Sequence, residues 1–237
     1  MDPIYFDWSV DQHGYTIERV KAADCTFFGT PASAIGFDDY DVVCPKGGPL
    51  RQYRPLDNDG LWRRFAETCR SPQGVLAFVN EFGLLSAASL HSLRGGEGQP
   101  LNEFLATARR LSEVAERLDA GDRSGAAVAL HKSDGLLQYG WPSLIEAILP
   151  TPTGAFEQRL IPLSLRDAIL HQVAEAIVGN RRFRRCRNEG CPEWFRLGPH
   201  RAKDGGKTYT ERREFCSDRC RVAAARRQKK REVMANA

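Results

Sequence analysis

Arg185-Cys186-Arg187-Asn188-Glu189-Gly190-Cys191 and Phe215-Cys216-Ser217-Asp218-Arg219-Cys220 are the two stretches that decide how the C-terminal part of this chain folds. They carry four thiols as C-x4-C and C-x3-C, and the stretch from Pro192 to Phe215 joins the two pairs. Two tight turns, each delivering two sulfurs, suit a tetrahedral ion whose thiolate ligands stand about 2.3 Å away. Gly190 is free to take a positive φ in the first turn, so that backbone amides face the sulfurs. Ser217 and Asp218 are good helix-start residues, and Arg219 to Arg231 contains no helix breaker. Cys216 and Cys220 then share one face of a helical N-terminus, where the amide dipoles favour thiolate over thiol. A knuckle supplying two ligands and a helix start supplying two more is a treble-clef-like arrangement, with Cys186, Cys191, Cys216 and Cys220 holding a structural zinc ion.

Around the cysteines the chain is strongly basic. Positions 181–237 hold 18 Lys and Arg against 7 Asp and Glu, a balance of +11. Positions 1–180 hold 16 against 23, a balance of −7, so the net charge of +4 conceals opposite halves. Polyanion binding belongs to the tail on this reading. The candidate nucleic-acid contacts are Arg182, Arg184 and Arg185 on the strand entering the first turn, with Arg181 and Arg187 beside them. On the helix they are Arg219, Arg221, Arg226, Arg227, Lys229, Lys230 and Arg231. Ala223, Ala224 and Ala225 leave room for close approach to a duplex groove. The bland alternative is a solvated helix whose charge only keeps the protein soluble.

The stretch Arg182–Arg231 resembles the C-terminal zinc finger of the CGNR family of bacterial proteins. The matching residues are Arg185-Cys186, Cys191, Trp194-Phe195, Phe215-Cys216-Ser217, Cys220 and the Arg221–Arg231 run. Where that family has Gly-Asn-Arg after the last cysteine, this chain has Arg221-Val222-Ala223. The resemblance implies that the four cysteines are zinc ligands and that the protein regulates transcription, with a helical domain ahead of the finger.

Other chemistries fit the finger poorly. Glu193 beside Pro192 and Cys191 suggests a zinc deaminase, but that needs an H-x-E element and an open metal position. Four thiolates close the shell. A nuclease of the His–metal type needs histidine or asparagine on the finger helix, and Arg219–Arg231 has none. His200 lies between the pairs and is the alternative ligand. Trp194 and Phe195 read either as the finger's miniature core or as recognition residues for RNA or a protein partner.

Positions 1–180 read as a mostly helical domain with an irregular or strand-like start over 1–60, separate from the finger at 181–237. Tyr15 to Val20 alternates weakly. Helices are expected at Leu61–Cys69, from Pro72 to Phe82, along the stripe Leu101–Leu118, from Asp122 through Leu130, and from Ser164 to Gly179. Arg94 to Pro100 reads as a flexible connector, and Phe156 to Ile161 as a short strand. The fold class is thus mainly α, with a small β-containing N-terminal part and the C-terminal finger.

No apolar run reaches about 18 residues, and the acidic N-terminus is not a signal peptide, so a cytoplasmic protein with no membrane partner is expected. Cys25, Cys44 and Cys69 read as buried free thiols. No catalytic constellation emerges, which points away from an enzyme; acidic pairs such as Asp38-Asp39 and Asp57/Asp59 fit turns as well as catalysis. The expected partner is nucleic acid, double-stranded DNA first, with a homodimer or protein contact through positions 1–180. Loss of the metal is expected to unfold the C-terminal finger and leave the helical domain standing.

Overall fold

The computed structural model of the protein describes residues 6–21, 26–27, 30–31, 38–86, 98–131, 144–150, 156–179, 181–197, 200–201, 207–208 and 213–235. Short antiparallel strands open the chain: β1 (Trp8–Asp11), β2 (Tyr15–Val20), β3 (Thr26–Phe27), β4 (Thr30–Pro31), β5 (Tyr40–Pro45) and β6 (Leu50–Tyr53). β1 pairs with β6, β3 with β4, and β2 with β5. The far edge of β5 takes β7 (Gln99–Pro100), where Val42 and Val43 face Pro100 and Gln99. So the end of the expected connector is a strand. Its polar residue is held by tertiary contacts, since buried Gln99 accepts the Leu85 N–H at 2.8 Å and donates to Glu103 at 3.0 Å.

Asp11 ties this region together. It is only 2% exposed, and its carboxylate accepts N–H groups from His13 (2.8 Å), Gly47 (2.7 Å) and Gly48 (3.0 Å). One side chain thereby joins the turn after β1 to the turn after β5. Burial works against its charge, but these backbone donors win and hold its carboxyl below the usual range.

The helical body follows: α1 (Leu61–Thr68), α2 (Pro72–Phe82), α3 (Leu101–Asp119), α4 (Arg123–His131) and, after the β8 (Leu144–Pro150) and β9 (Phe156–Pro162) hairpin, α5 (Leu165–Val178). The starts obey capping chemistry. Ser71 Oγ accepts the Gly74 N–H ahead of Pro72, Asp122 accepts the Gly125 N–H, and Ser164 accepts the Asp167 N–H at 3.1 Å. The apolar stripes converge on Trp62, Phe65, Phe78, Phe104, Leu111, Leu165 and Ile169, all essentially inaccessible to solvent. Each such residue contributes about 1.5–3 kcal/mol through burial. Phe65 meets Phe78 edge-on at 4.9 Å.

The last segment contains β10 (Arg182–Arg185), β11 (Trp194–Leu197), the small pair β12 (His200–Arg201) and β13 (Lys207–Thr208), and the long helix α6 (Asp218–Ala235). β10 and β11 form an antiparallel hairpin in which Arg185 faces Trp194 at the open base of the cysteine turn. The chain is therefore mainly helical with small antiparallel sheets, as the sequence suggests. Among the described residues, no helix is long and apolar enough to cross a membrane.

Candidate metal centre and basic helix

The four cysteines converge although Cys186 and Cys220 stand at opposite ends of the finger sequence. Gly190 takes φ 79°, the left-handed conformation that lets the chain turn back to Cys191. The Cys191 N–H donates to Asn188 O and the Cys186 N–H to Glu193 O, each at 2.9 Å, which closes the knuckle. The Arg187 N–H donates to Glu214 O at 2.9 Å, bringing the second cysteine stretch alongside. There the Cys216 N–H approaches Cys186 Sγ at 3.5 Å, and Ser217 Oγ accepts the Cys220 N–H at 3.3 Å in the first turn of α6.

Cys191 Sγ lies 3.7 Å from Cys216 Sγ, which lies 3.5 Å from Cys220 Sγ. All four sulfurs fall within 4.8 Å of one another. A tetrahedron with metal–sulfur bonds of about 2.3 Å has sulfur–sulfur edges of about 3.8 Å. The quartet is thus close enough, and of the right donor type, to coordinate a metal ion.

The thiols show what a cation would have to do. Burial pushes Cys191 up to about 11 and raises Cys216 further. Burial also opposes ionisation of Cys220, but hydrogen bonds from Ser217 and the adjoining thiols draw it down to about 7. Cys220, at the helix start, thus ionises most readily, while burial keeps Cys191 and Cys216 protonated. A bound cation offsets that effect of burial. The side chain of His200, the alternative ligand, lies outside the described residues. Cys69 is buried and its thiol is raised by burial, Cys44 is half-buried, and Cys25 lies outside the described residues.

The arginines beside the cysteine cluster divide into two groups. Several hold the finger together: Arg184 donates to Arg213 O (3.0 Å), Arg187 pairs with Glu214 (2.9 Å), Arg221 with Asp218 (3.2 Å) and Arg231 with Glu189 (2.6 Å), while Arg227 donates to Asn188 Oδ1. Arg181 forks onto Glu175 of α5, and Arg185 reaches Glu67 of α1 at 2.8 Å. By contrast, Arg182, Arg219, Arg226, Lys229 and Lys230 are exposed and, among the described residues, engage no partner. Arg219, Arg226 and Lys230 follow i, i+7, i+11 spacing and form one stripe along α6, with Lys229 at its edge. Arg227 and Arg231, four apart, occupy the side that faces the knuckle.

Sequence reasoning missed how firmly the finger is seated on the helical body. Phe183 of β10 meets Trp62 edge-on at 5.5 Å. Arg63, 4% exposed, lies over the rings of Trp62 (4.6 Å), Trp194 (5.4 Å) and Phe183 (5.8 Å), and forks onto Asp119 at 2.7 and 2.8 Å. Its neighbour Arg64 pairs with Glu81 and, at 2.6 Å, with Glu193, which also accepts from Asn58 at 2.8 Å. Trp194 Nε1 donates to Glu67 at 3.0 Å. Gly60 is required here, because a Cβ would overlap the backbone of Trp194. Of the two aromatics read as either finger core or recognition residues, Phe195 is buried beneath Arg213. Trp194 instead packs against α1.

No model of a known protein family matches the chain, and comparison with curated proteins and with solved structures returns no significant match.

Proposed function

We propose that this chain is a zinc-dependent, DNA-binding regulatory protein. Cys186, Cys191, Cys216 and Cys220 hold the ion in a treble-clef-like finger, and α6 is presented to the phosphates of a duplex. The observation that carries this reading is the exposed stripe Arg219, Arg226 and Lys230, without a partner among the described residues, which begins at the turn of Cys216 and Cys220 and runs outward along one helix face. Thiolate softness and near-tetrahedral spacing favour zinc. The ion is a clamp: it fixes the helix start, and Arg227 and Arg231 hold the helix on the knuckle. The resemblance to CGNR zinc fingers supports the same assignment.

Equilibrium binding of a random-sequence duplex by the full chain, titrated with salt, tests it. Log affinity falls linearly with log salt if phosphates are the partner. A partner other than nucleic acid is the second reading. Its support is the exposed Val222, Val233 and Met234 on α6, which place apolar surface among the exposed cations. A duplex that fails to bind at low salt would decide for it.

A further inference from the structure

We infer that Arg63 and Arg64 of α1 are positioning residues for the metal centre, so that metal affinity and the stability of the helical body are coupled. The inference rests on the reading of the cysteine quartet as a metal site. α1 grips both strands at the base of the knuckle. Glu67 takes Arg185, the residue before Cys186, and Trp194, its cross-strand partner. Arg64 holds the side chain of Glu193, whose own carbonyl accepts the Cys186 N–H. Arg63 spans the rings of Phe183 and Trp194, one from each strand, and is itself locked by Asp119 of α3.

If the base splays, Cys186 and Cys191 separate and the sulfur tetrahedron opens. Outer supports of this kind are worth about 10–100-fold in metal affinity. Linkage is reciprocal, so a body that tightens the metal is tightened by the metal by the same factor. The helical domain is still expected to stand without the metal, but in a loosened form.

The test uses the full chain. Zinc affinity is read by competition with a chromophoric chelator, and backbone exchange in α1 by hydrogen–deuterium exchange with and without zinc. Arg64→Ala and Trp194→Ala are expected to weaken zinc about 10–100-fold. Stripping zinc from the unaltered chain is expected to speed exchange at the α1 amides by a comparable factor, a readout that stands even where a variant fails to fold. Leu111→Ala, in the body core on α3, is expected to lower the unfolding midpoint yet leave zinc affinity within about twofold. Unchanged α1 exchange on zinc removal overturns the coupling, as does a Leu111→Ala effect on zinc equal to that of Arg64→Ala. A wild-type chain that binds no zinc overturns the metal reading and the coupling with it.

Discussion

Removing two cations from the outer stripe of α6 should change how duplex binding responds to salt, while removing two from its inner side should not. Each cation that meets a phosphate contributes about −0.9 to the slope of log affinity against log salt. Arg219, Arg226, Lys229 and Lys230 are exposed and unengaged among the described residues, so α6 alone is expected to supply a slope of about −3.6. Between about 50 and 200 mM salt that corresponds to an affinity loss of about 150-fold. Arg226→Ala with Lys230→Ala removes half of the slope, and the loss over the same range shrinks to about 12-fold. Arg227→Ala with Arg231→Ala removes the same formal charge but takes it from groups spent on Asn188 and Glu189. Its slope should stay near the wild-type value, with the cost appearing as a lower unfolding midpoint. Fluorescence anisotropy with a labelled duplex at four or five salt concentrations reads all three proteins. A slope unmoved by the outer pair and halved by the inner pair would refute the assignment of faces.

Three further outcomes follow from the geometry. Asp11→Asn should cost about 1–3 kcal/mol near neutral pH, because a weaker acceptor replaces a buried carboxylate bound by backbone amides. The folded carboxyl is lowered from its ordinary 3.8, so its contribution is complete above that value and is lost as acid protonates the native state. Wild type and variant should therefore converge in urea unfolding as acid takes the pH well below 3.8 and protonates the native carboxyl, and a gap that persists once it is protonated contradicts the role given to the charge. Metal affinity should fall as the pH is lowered: burial holds the protons on Cys191 (about 11) and Cys216 at neutrality, so binding releases at least those two. Chelator competition at two pH values is expected to show a change of about 100-fold per unit, and a flat profile would exclude thiolate ligation. Gly60→Ala forces a methyl against the Trp194 backbone and should destabilise by about 1–3 kcal/mol in denaturant titration; no loss would mean that β11 is not held against α1.

How far the sequence could be read depended on the range of the determining contact. The knuckle, the Ser217 start of α6, the Ser164 cap of α5 and the stripe of α3 are set by residues within a few positions of one another, and all were legible. β8 was not, because Leu144-Ile145-Glu146-Ala147-Ile148-Leu149 is a short apolar run that suits a strand or a buried helix equally. Arg63 and Arg64 look like a solvated pair on an amphipathic helix. Their burial depends on Trp194 and Glu193, far along the chain in the finger, and no local pattern announces that. The same holds for the division among the basic residues: composition marks the segment as cationic, but only the folded turn shows that Glu189 and Asn188 occupy Arg231 and Arg227.

A metal held by the four cysteines is proposed to present α6 to nucleic acid. Duplex binding by the full chain, measured before metal removal, after it and after zinc is restored, with metal content determined in each sample, tests it most directly. The account predicts roughly one zinc per chain in the starting protein, loss of binding on removal and recovery on restoration. A chain that carries no metal, or that binds the duplex equally well once stripped, would contradict it.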